Sequence, residues 1–324
     1  MYVLSRVVNA IRTHPSVKPV ASSLKSWLPW VISAGLLSWV YLSNDMADIA
    51  KGLATADYWS YGLLLTVFVL CSWLMDSFYL TVSYSWLAGK GSFIPILRAR
   101  AASYLLAIVS NFVGMGGIVF FMKKRFGVKL TRGTGIMVLE LLQEVGAFGI
   151  LSLAALLFMM QLDDALVQTI FNFGIGTVLF YIACFLTSRV FRHYILNRDR
   201  EKALAVVADL PATKFAALLG IKVVYNLMHG IFVGLAFHCF YLDVPLVFAA
   251  ASTQVIQLVR SLPVFVFGIG VDQISFSYLF APWEIVSGQV IAFSVIYTFS
   301  MVFSRGLLGL IFTPGIIKEF QKDK

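Results

Sequence analysis

The sequence predicts an all-α integral membrane protein with an inverted-topology repeat, in which six full transmembrane helices accompany two re-entrant helical hairpins. Only 13% of its residues are charged and the mean hydropathy is +0.86, whereas soluble domains carry about 25% charged residues. Several apolar segments also reach the roughly 20 residues that a helix needs to cross a bilayer. We therefore expect residues 1–324 to form a single membrane domain.

Six apolar segments are predicted to be full spans. They are residues 28–44, 59–88, 135–160, 166–188, 215–241 and 286–312. Basic residues are concentrated before the first span, at 89–100, 122–134 and 189–214, and in the C-terminal tail. Because Lys and Arg accumulate in cytoplasmic loops, we expect a multi-pass plasma (inner) membrane protein with cytoplasmic N- and C-termini.

Two further apolar stretches, 101–121 and 246–283, each begin and end on one side of the membrane. Basic segments flank the first stretch, and Asp243 and Glu284 flank the second. Both are therefore predicted to be re-entrant hairpins, because irregular backbone is tolerated at membrane depth where it lines a cavity. The residues predicted to form the two turns are Asn111, Gly114, Gly116, Gly117, Pro263, Gly268 and Gly270.

These segments divide the chain into two half-repeats, about 27–160 and 165–312. Each half has the order span, span, re-entrant hairpin, span, and the two halves start from opposite sides of the membrane. Secondary transporters commonly have such inverted repeats, with the substrate site at the repeat interface. The alternative is eight plain transmembrane helices.

Charged and polar residues at membrane depth indicate where the function lies, because each ionisable group costs about 2.5–3.5 kcal/mol to insert. Glu140 and Glu144 share one helix face, and so do Lys222, Asn226 and His229. The residues predicted to line a polar head-group cavity are Glu140, Glu144, Lys222, Asn226, His229, Arg260, Asp272 and Gln273.

In this cavity the cations would bind a lipid phosphate, and the carboxylates would supply counter-charge or bind a cationic group. The alternative is a set of structural ion pairs, for example between Glu140 or Glu144 and Lys222 or Arg260. Asp76, Arg98 and Arg100 are further ionisable candidates, while Arg305 is predicted to be an interfacial anchor.

Motifs for catalysis and for cofactor binding are missing from the sequence. There is no GxSxG, HExxH or P-loop motif, and the three cysteines are too scattered for a metal motif. We therefore expect no catalytic residue, no metal and no cofactor, and thus a protein that is not an enzyme. The basic residues lie in short loops between spans, which argues against nucleic-acid binding despite the net charge of +9.

Four segments resemble the transmembrane flippase domain of lysylphosphatidylglycerol synthase and related standalone membrane proteins. They are YLLAIVSNFVGMGGIVFFMKKRFGVKL (104–130), VLELLQE (138–144), KFAALLGIKVVYN (214–226) and LPVFVFGIGVDQ (262–273). Within them, Glu140 and Glu144 match two acidic positions of the family, and Asn226 also matches. The last segment resembles a Pro-x4-Gly-x-Gly-Val-x-Glu element through Pro263, Gly268, Gly270 and Val271.

The chain departs from this family pattern at three positions. Leu141 and Thr298 stand where the family usually has Arg, and Gln273 stands where it has Glu. These departures favour a changed head-group chemistry or a changed role. The resemblance implies lipid translocation, or partnership with a lipid- or glycan-modifying enzyme in the membrane.

Three functions follow from these patterns. The preferred one is a flippase or transporter for an anionic membrane phospholipid or a lipid-linked precursor. The second is a non-catalytic membrane partner of a modifying enzyme, docked through the basic loops 122–134 and 189–214. The third is an intramembrane lipid-modifying enzyme that uses Glu140, Glu144 and His229. The sequence leaves the lipid, the driving force and the oligomeric state undetermined.

Overall fold

The structure is a computed structural model that describes residues 23–108, 111–157, 164–192, 203–261, 268–281 and 287–322. These residues form twelve α-helices and no strand. The helices are α1 (Ser23–Leu42), α2 (Met46–Thr55), α3 (Tyr58–Ala88), α4 (Phe93–Ala107), α5 (Asn111–Phe126), α6 (Leu130–Leu156), α7 (Asp164–Val190), α8 (Ala203–Asp209), α9 (Ala212–Cys239), α10 (Leu246–Ser261), α11 (Val271–Phe280) and α12 (Ser287–Lys322). The predicted all-α membrane fold is confirmed.

Five of these helices are long and apolar enough to cross a membrane, judged by length and composition. They are α3, α6, α7, α9 and α12, and they correspond to five of the six predicted spans. The remaining prediction, 28–44, falls on α1, whose apolar part within the described residues is the shorter Val31–Leu42. The last helix continues to Lys322, ten residues beyond the predicted end at 312, with Pro314 inside it.

Capping residues explain where helix α3 begins and ends. The side chain of Asp57 accepts hydrogen bonds from the backbone N–H groups of Trp59 and Ser60, at 3.2 and 3.1 Å, which satisfies two of the unpaired donors at the helix N-terminus. The helix ends at Gly89, whose φ of +63° is favoured by glycine. Between these ends, Leu63, Val67, Leu70 and Leu74 are exposed. This apolar stripe has helical spacing and suits contact with lipid.

The first interrupted stretch forms a pair of helices, α4 and α5, that pack against each other. Helix α4 ends at Ala107 and α5 begins at Asn111, so Gly114, Gly116 and Gly117, which were predicted to form the turn, lie inside α5 instead. A Cβ at Gly114 would lie 2.8 Å from the Ala107 Cβ, and one at Gly117 would lie 2.5 Å from a Leu106 methyl carbon. These two glycines therefore permit close packing of the pair rather than reversal of the chain.

The second interrupted stretch forms another helix pair, α10 and α11. Gly268 and Gly270 precede α11 with φ values of +80° and +83°, so this predicted turn does use glycine's access to the left-handed region. Gln273 caps the helix, because its Oε1 accepts a 2.7 Å hydrogen bond from the Gly270 N–H. Pro263 lies outside the described residues.

Packing between the two halves of the chain is reciprocal. Helix α6 of the first half packs on α10, and α12 of the second half packs on α4, while α3 and α9 pack on each other. The last span of each half thus contacts the helix pair of the other half. The inverted repeat and the membrane sidedness of the two helix pairs stay predictions.

Candidate intramembrane site

Helix α9 turns a polar face inward and an apolar face outward. Lys222, Asn226 and His229 are 1–3% exposed, whereas Val224, Leu227 and Ile231 are 39–56% exposed. Such an inside-out distribution is expected when lipid surrounds the helix, because polar groups then need partners within the protein. The polar face of α9 contributes to two clusters of charged residues. Lys222 belongs to the first cluster, and His229, seven residues farther along the helix, belongs to the second.

The first cluster comprises Asp76 on α3, Arg100 on α4, Glu140 and Glu144 on α6, and Lys222 on α9. The ammonium group of Lys222 lies 3.1 Å from Glu140 Oε1, 3.4 Å from Asp76 Oδ1 and 3.8 Å from Glu144 Oε2. It also lies 4.5 Å from the centre of the Tyr79 ring. Three carboxylates therefore surround one fully buried cation.

Arg100 supplies a second cation to the first cluster. Its Nε donates a 2.7 Å hydrogen bond to Asp76 Oδ2, and its Nη2 contacts the same oxygen. Nη2 also lies 3.8 Å from Glu140 Oε1. With every group ionised, the three carboxylates and two cations leave one net negative charge in this cluster.

A small recess borders the first cluster between helices α3, α4, α5 and α6. Arg100 and Glu140 lie in its wall, beside apolar residues such as Met115 and Ile118. The first cluster therefore reaches open space on one side. The side chains of Glu144 and Arg100 are 29% and 14% exposed, while that of Lys222 is only 2% exposed.

The second cluster comprises Arg260 on α10, Asp272 on α11, Tyr297 and Thr298 on α12, and His229 on α9. Asp272 Oδ2 lies 3.4 Å from Arg260 Nη1 and accepts a 2.8 Å hydrogen bond from the Thr298 hydroxyl. The other carboxylate oxygen, Oδ1, accepts no hydrogen bond from the described part of the chain. Asp272 is fully buried, and the Arg260 side chain is 12% exposed.

His229 joins the second cluster through Tyr297. The imidazole Nε2 lies 2.8 Å from the Tyr297 hydroxyl, and Nδ1 lies 2.6 Å from the side-chain amide nitrogen of Gln257. The Arg260 guanidinium in turn stands over the Tyr297 ring, 5.8 Å from its centre. A continuous chain of polar contacts therefore runs from α9 across α12 to the Arg260–Asp272 pair.

The structure distributes the predicted cavity residues among three roles. Lys222 forms ion pairs with both Glu140 and Glu144, while Arg260 pairs with Asp272. Asn226 connects α9 to α10, since its side chain donates to Lys222 O and its carbonyl accepts from Gln254. Gln273 is a helix cap, as described above.

Three charged residues make closer contacts within the helix bundle than the sequence predicted. Asp76 and Arg100 were only candidates, yet they form the tightest pair of the first cluster. Arg305 was expected to be an interfacial anchor, but its guanidinium lies over the Tyr104 ring and 3.5 Å from the Tyr225 hydroxyl. These three residues could have been identified from the sequence, because any charge is costly to insert into the bilayer interior.

The described residues contain no group of three or more metal-binding side chains arranged to hold an ion. Where three carboxylates do converge, the Lys222 ammonium already lies between them. The cysteines at positions 71, 184 and 239 are free thiols, each partly buried. The interactions that the two clusters offer are salt bridges and hydrogen bonds.

Comparison with known proteins gives one match. A family model described as the lysylphosphatidylglycerol synthase TM region matches residues 26–309. No curated protein and no solved structure matches the chain significantly.

Proposed function

The chain belongs to the family of the lysylphosphatidylglycerol synthase transmembrane region, and we propose that it translocates an anionic phospholipid or a lipid-linked precursor across the membrane. This family of membrane domains is linked to lipid translocation. As such a carrier, the protein would not be an enzyme. It would lie in the plasma (inner) membrane with both termini in the cytoplasm, as the loop charges predict.

The observation that carries the proposal is the first cluster, which is buried within the helix bundle yet borders a recess. Charges at this depth are costly unless they are paired or face a polar cavity, and here they are paired with one another. Arg100 and Glu140 also line the recess, whose cavity volume of about 10 Å³ is close to that of a single water molecule. A head group would therefore enter as the helices around the recess move apart, while its acyl chains remain in the surrounding lipid.

Arg100 and Arg260 are the cations best placed to meet a lipid phosphate. Each has a partly exposed guanidinium, and each is paired with a buried aspartate, Asp76 or Asp272. Arginine is well suited to bidentate binding of phosphate. An incoming phosphate would replace Asp272 as the partner of Arg260, so that this ion pair opens as the head group enters, whereas Arg100 would keep Asp76 and gain the phosphate as a further partner.

Lipid transfer in proteoliposomes tests this proposal. The double variant Arg100→Gln/Arg260→Gln should transfer fluorescent phosphatidylglycerol at least about tenfold more slowly, because each lost charge-assisted hydrogen bond is worth about 1.5–3 kcal/mol. Asp76 keeps Lys222 as a partner in this variant, which favours retention of the fold. Size-exclusion profiles and thermal unfolding would check that retention.

A matched control uses arginine and lysine residues that lie outside both clusters. Arg98 is exposed on the same helix as Arg100, and Lys214 near the start of α9 contacts the Trp86 ring. The double variant Arg98→Gln/Lys214→Gln should transfer lipid at the wild-type rate. A folded Arg100→Gln/Arg260→Gln protein that also transfers at this rate would contradict the proposed function.

A further inference from the structure

We propose that Asp272 is a proton-binding site that couples the movement of one proton to the movement of one anionic lipid head group, in an electroneutral co-transport. This inference rests on the proposed function and adds its driving force. In the second cluster, a single Arg–Asp pair lies where α10 ends and α11 begins.

The carboxylate of Asp272 is only half satisfied. Oδ2 contacts Arg260 and Thr298, whereas Oδ1 accepts no hydrogen bond within the described residues. An ionised carboxylate that is buried with an unpaired oxygen is costly. Protonation at Oδ1 would remove the buried negative charge and would leave the Thr298 hydrogen bond to Oδ2 in place.

Charge balance in the second cluster links this proton to the lipid phosphate. Without substrate, the negative Asp272 neutralises the positive Arg260. With a phosphate diester bound to Arg260, a negative Asp272 would leave one uncompensated negative charge in the bilayer interior, and a neutral Asp272 would leave none. Conversely, a neutral Asp272 without phosphate would leave Arg260 unpaired. Because uncompensated buried charges are strongly destabilising, only two states are favoured, one with neither ligand and one with both.

The proton balance of the cycle follows from these two states. A proton from the aqueous phase binds Asp272 Oδ1 as the Arg260 pair opens and the phosphate binds Arg260. After the site opens to the other side, the phosphate leaves, Arg260 pairs with Asp272 again, and the proton is released there. Both states carry zero net charge, so a pH difference should drive transfer whereas a membrane voltage should not.

The other ionisable groups around the pair have defined partners. From α9, His229 has one imidazole nitrogen on Tyr297 and the other on Gln257. From α12, Tyr297 contacts His229, and Arg305 contacts Tyr225. Helix α1 approaches the turn before α11 through Leu36 and the carbonyl of Ser33, near Gly270, and neither group titrates. Asp272 is the member of this set with an open acceptor oxygen.

The first test measures proton uptake on binding, and it does not depend on transport. Purified protein in weak buffer with a pH indicator would be mixed with dihexanoyl phosphatidylglycerol. The wild type should take up about one proton per bound lipid, and Asp272→Asn should bind the lipid with no uptake. If Asp272→Asn fails to fold, the ratio of protons taken up to lipid bound by the wild type still decides the question, because it requires no variant. Lipid binding by the wild type without proton uptake would overturn the inference.

The second test applies a gradient across proteoliposomes containing phosphatidylglycerol. For 1:1 coupling, a difference of one pH unit corresponds to a tenfold lipid accumulation at steady state, and a potassium-diffusion voltage should give none. Asp272→Asn should show no accumulation. Lipid transfer by the wild type that does not depend on the pH difference would overturn the inference but would still support the proposed function. Loss of coupling in His229→Gln but not in Asp272→Asn would also overturn it.

A failure of the proposed function has a different signature. In that case, the wild type would transfer no lipid with or without a gradient, and it would bind no dihexanoyl phosphatidylglycerol. The binding measurement therefore separates the two outcomes: binding without protons contradicts the coupling alone, and absence of binding contradicts both.

Discussion

The two halves of the chain each contribute one buried Arg–Asp pair, and the two pairs have very different surroundings. Arg100–Asp76 is supported by Lys222 and Glu140, so that each charged group has more than one partner. Arg260–Asp272 has one hydroxyl donor, Thr298, and leaves one carboxylate oxygen open. A pair with several partners is difficult to open, whereas an isolated pair can be exchanged for a proton and a phosphate.

The largest expected effect is the loss of stability when the first cluster loses a positive charge. The variant Lys222→Met should lose about 3–5 kcal/mol in free energy of unfolding, because three carboxylates would lose their shared buried cation. Thermal unfolding in detergent measures this loss. Adding Glu140→Gln should restore part of the stability, and Lys214→Met on the same helix should cost much less. A Lys222→Met protein as stable as the wild type would contradict the network described for the first cluster.

A smaller effect is expected when the second pair loses its cation. The variant Arg260→Gln should cost about 1–3 kcal/mol, in the range for one unsatisfied buried polar group, because Asp272 can become neutral by binding a proton. The same unfolding measurement checks this value at pH 7. A cost equal to that of Lys222→Met would remove the difference between the two pairs.

The smallest effect is expected at a salt bridge outside both clusters, which provides a reference for them. Arg125 at the end of α5 lies 3.1 Å from Glu319 on α12, and both side chains are well exposed, at 42% and 30%. Exposed pairs contribute about 0–1 kcal/mol and are screened by salt. The variant Arg125→Ala should therefore change the free energy of unfolding by less than about 1 kcal/mol. A cost comparable to that of Arg260→Gln would show that burial does not set the order of these effects.

Local patterns in the sequence were sufficient to predict the membrane class, five of the six spans and the polar face of α9. Residues 222, 226 and 229 recur at helical spacing, so their common face follows from the geometry of one helix. Likewise, the interruptions near 110 and 265 were visible as breaks in apolar segments. The exact position of the first turn was not predicted, because glycines that permit close helix packing resemble glycines that end a helix.

Only the tertiary structure decided which charges meet. Lys222 pairs with Asp76 and Glu140 across sequence separations of 146 and 82 residues, and Arg260 turns to Asp272 rather than to a glutamate of α6. Such pairings depend on how whole helices are rotated and packed against one another, which the spacing within one helix does not specify. The sequence by itself thus determined that charges lie within the membrane. The packing of the helices determined that one pair lies in a network of several charges, while the other leaves one carboxylate oxygen without a hydrogen bond among the described residues.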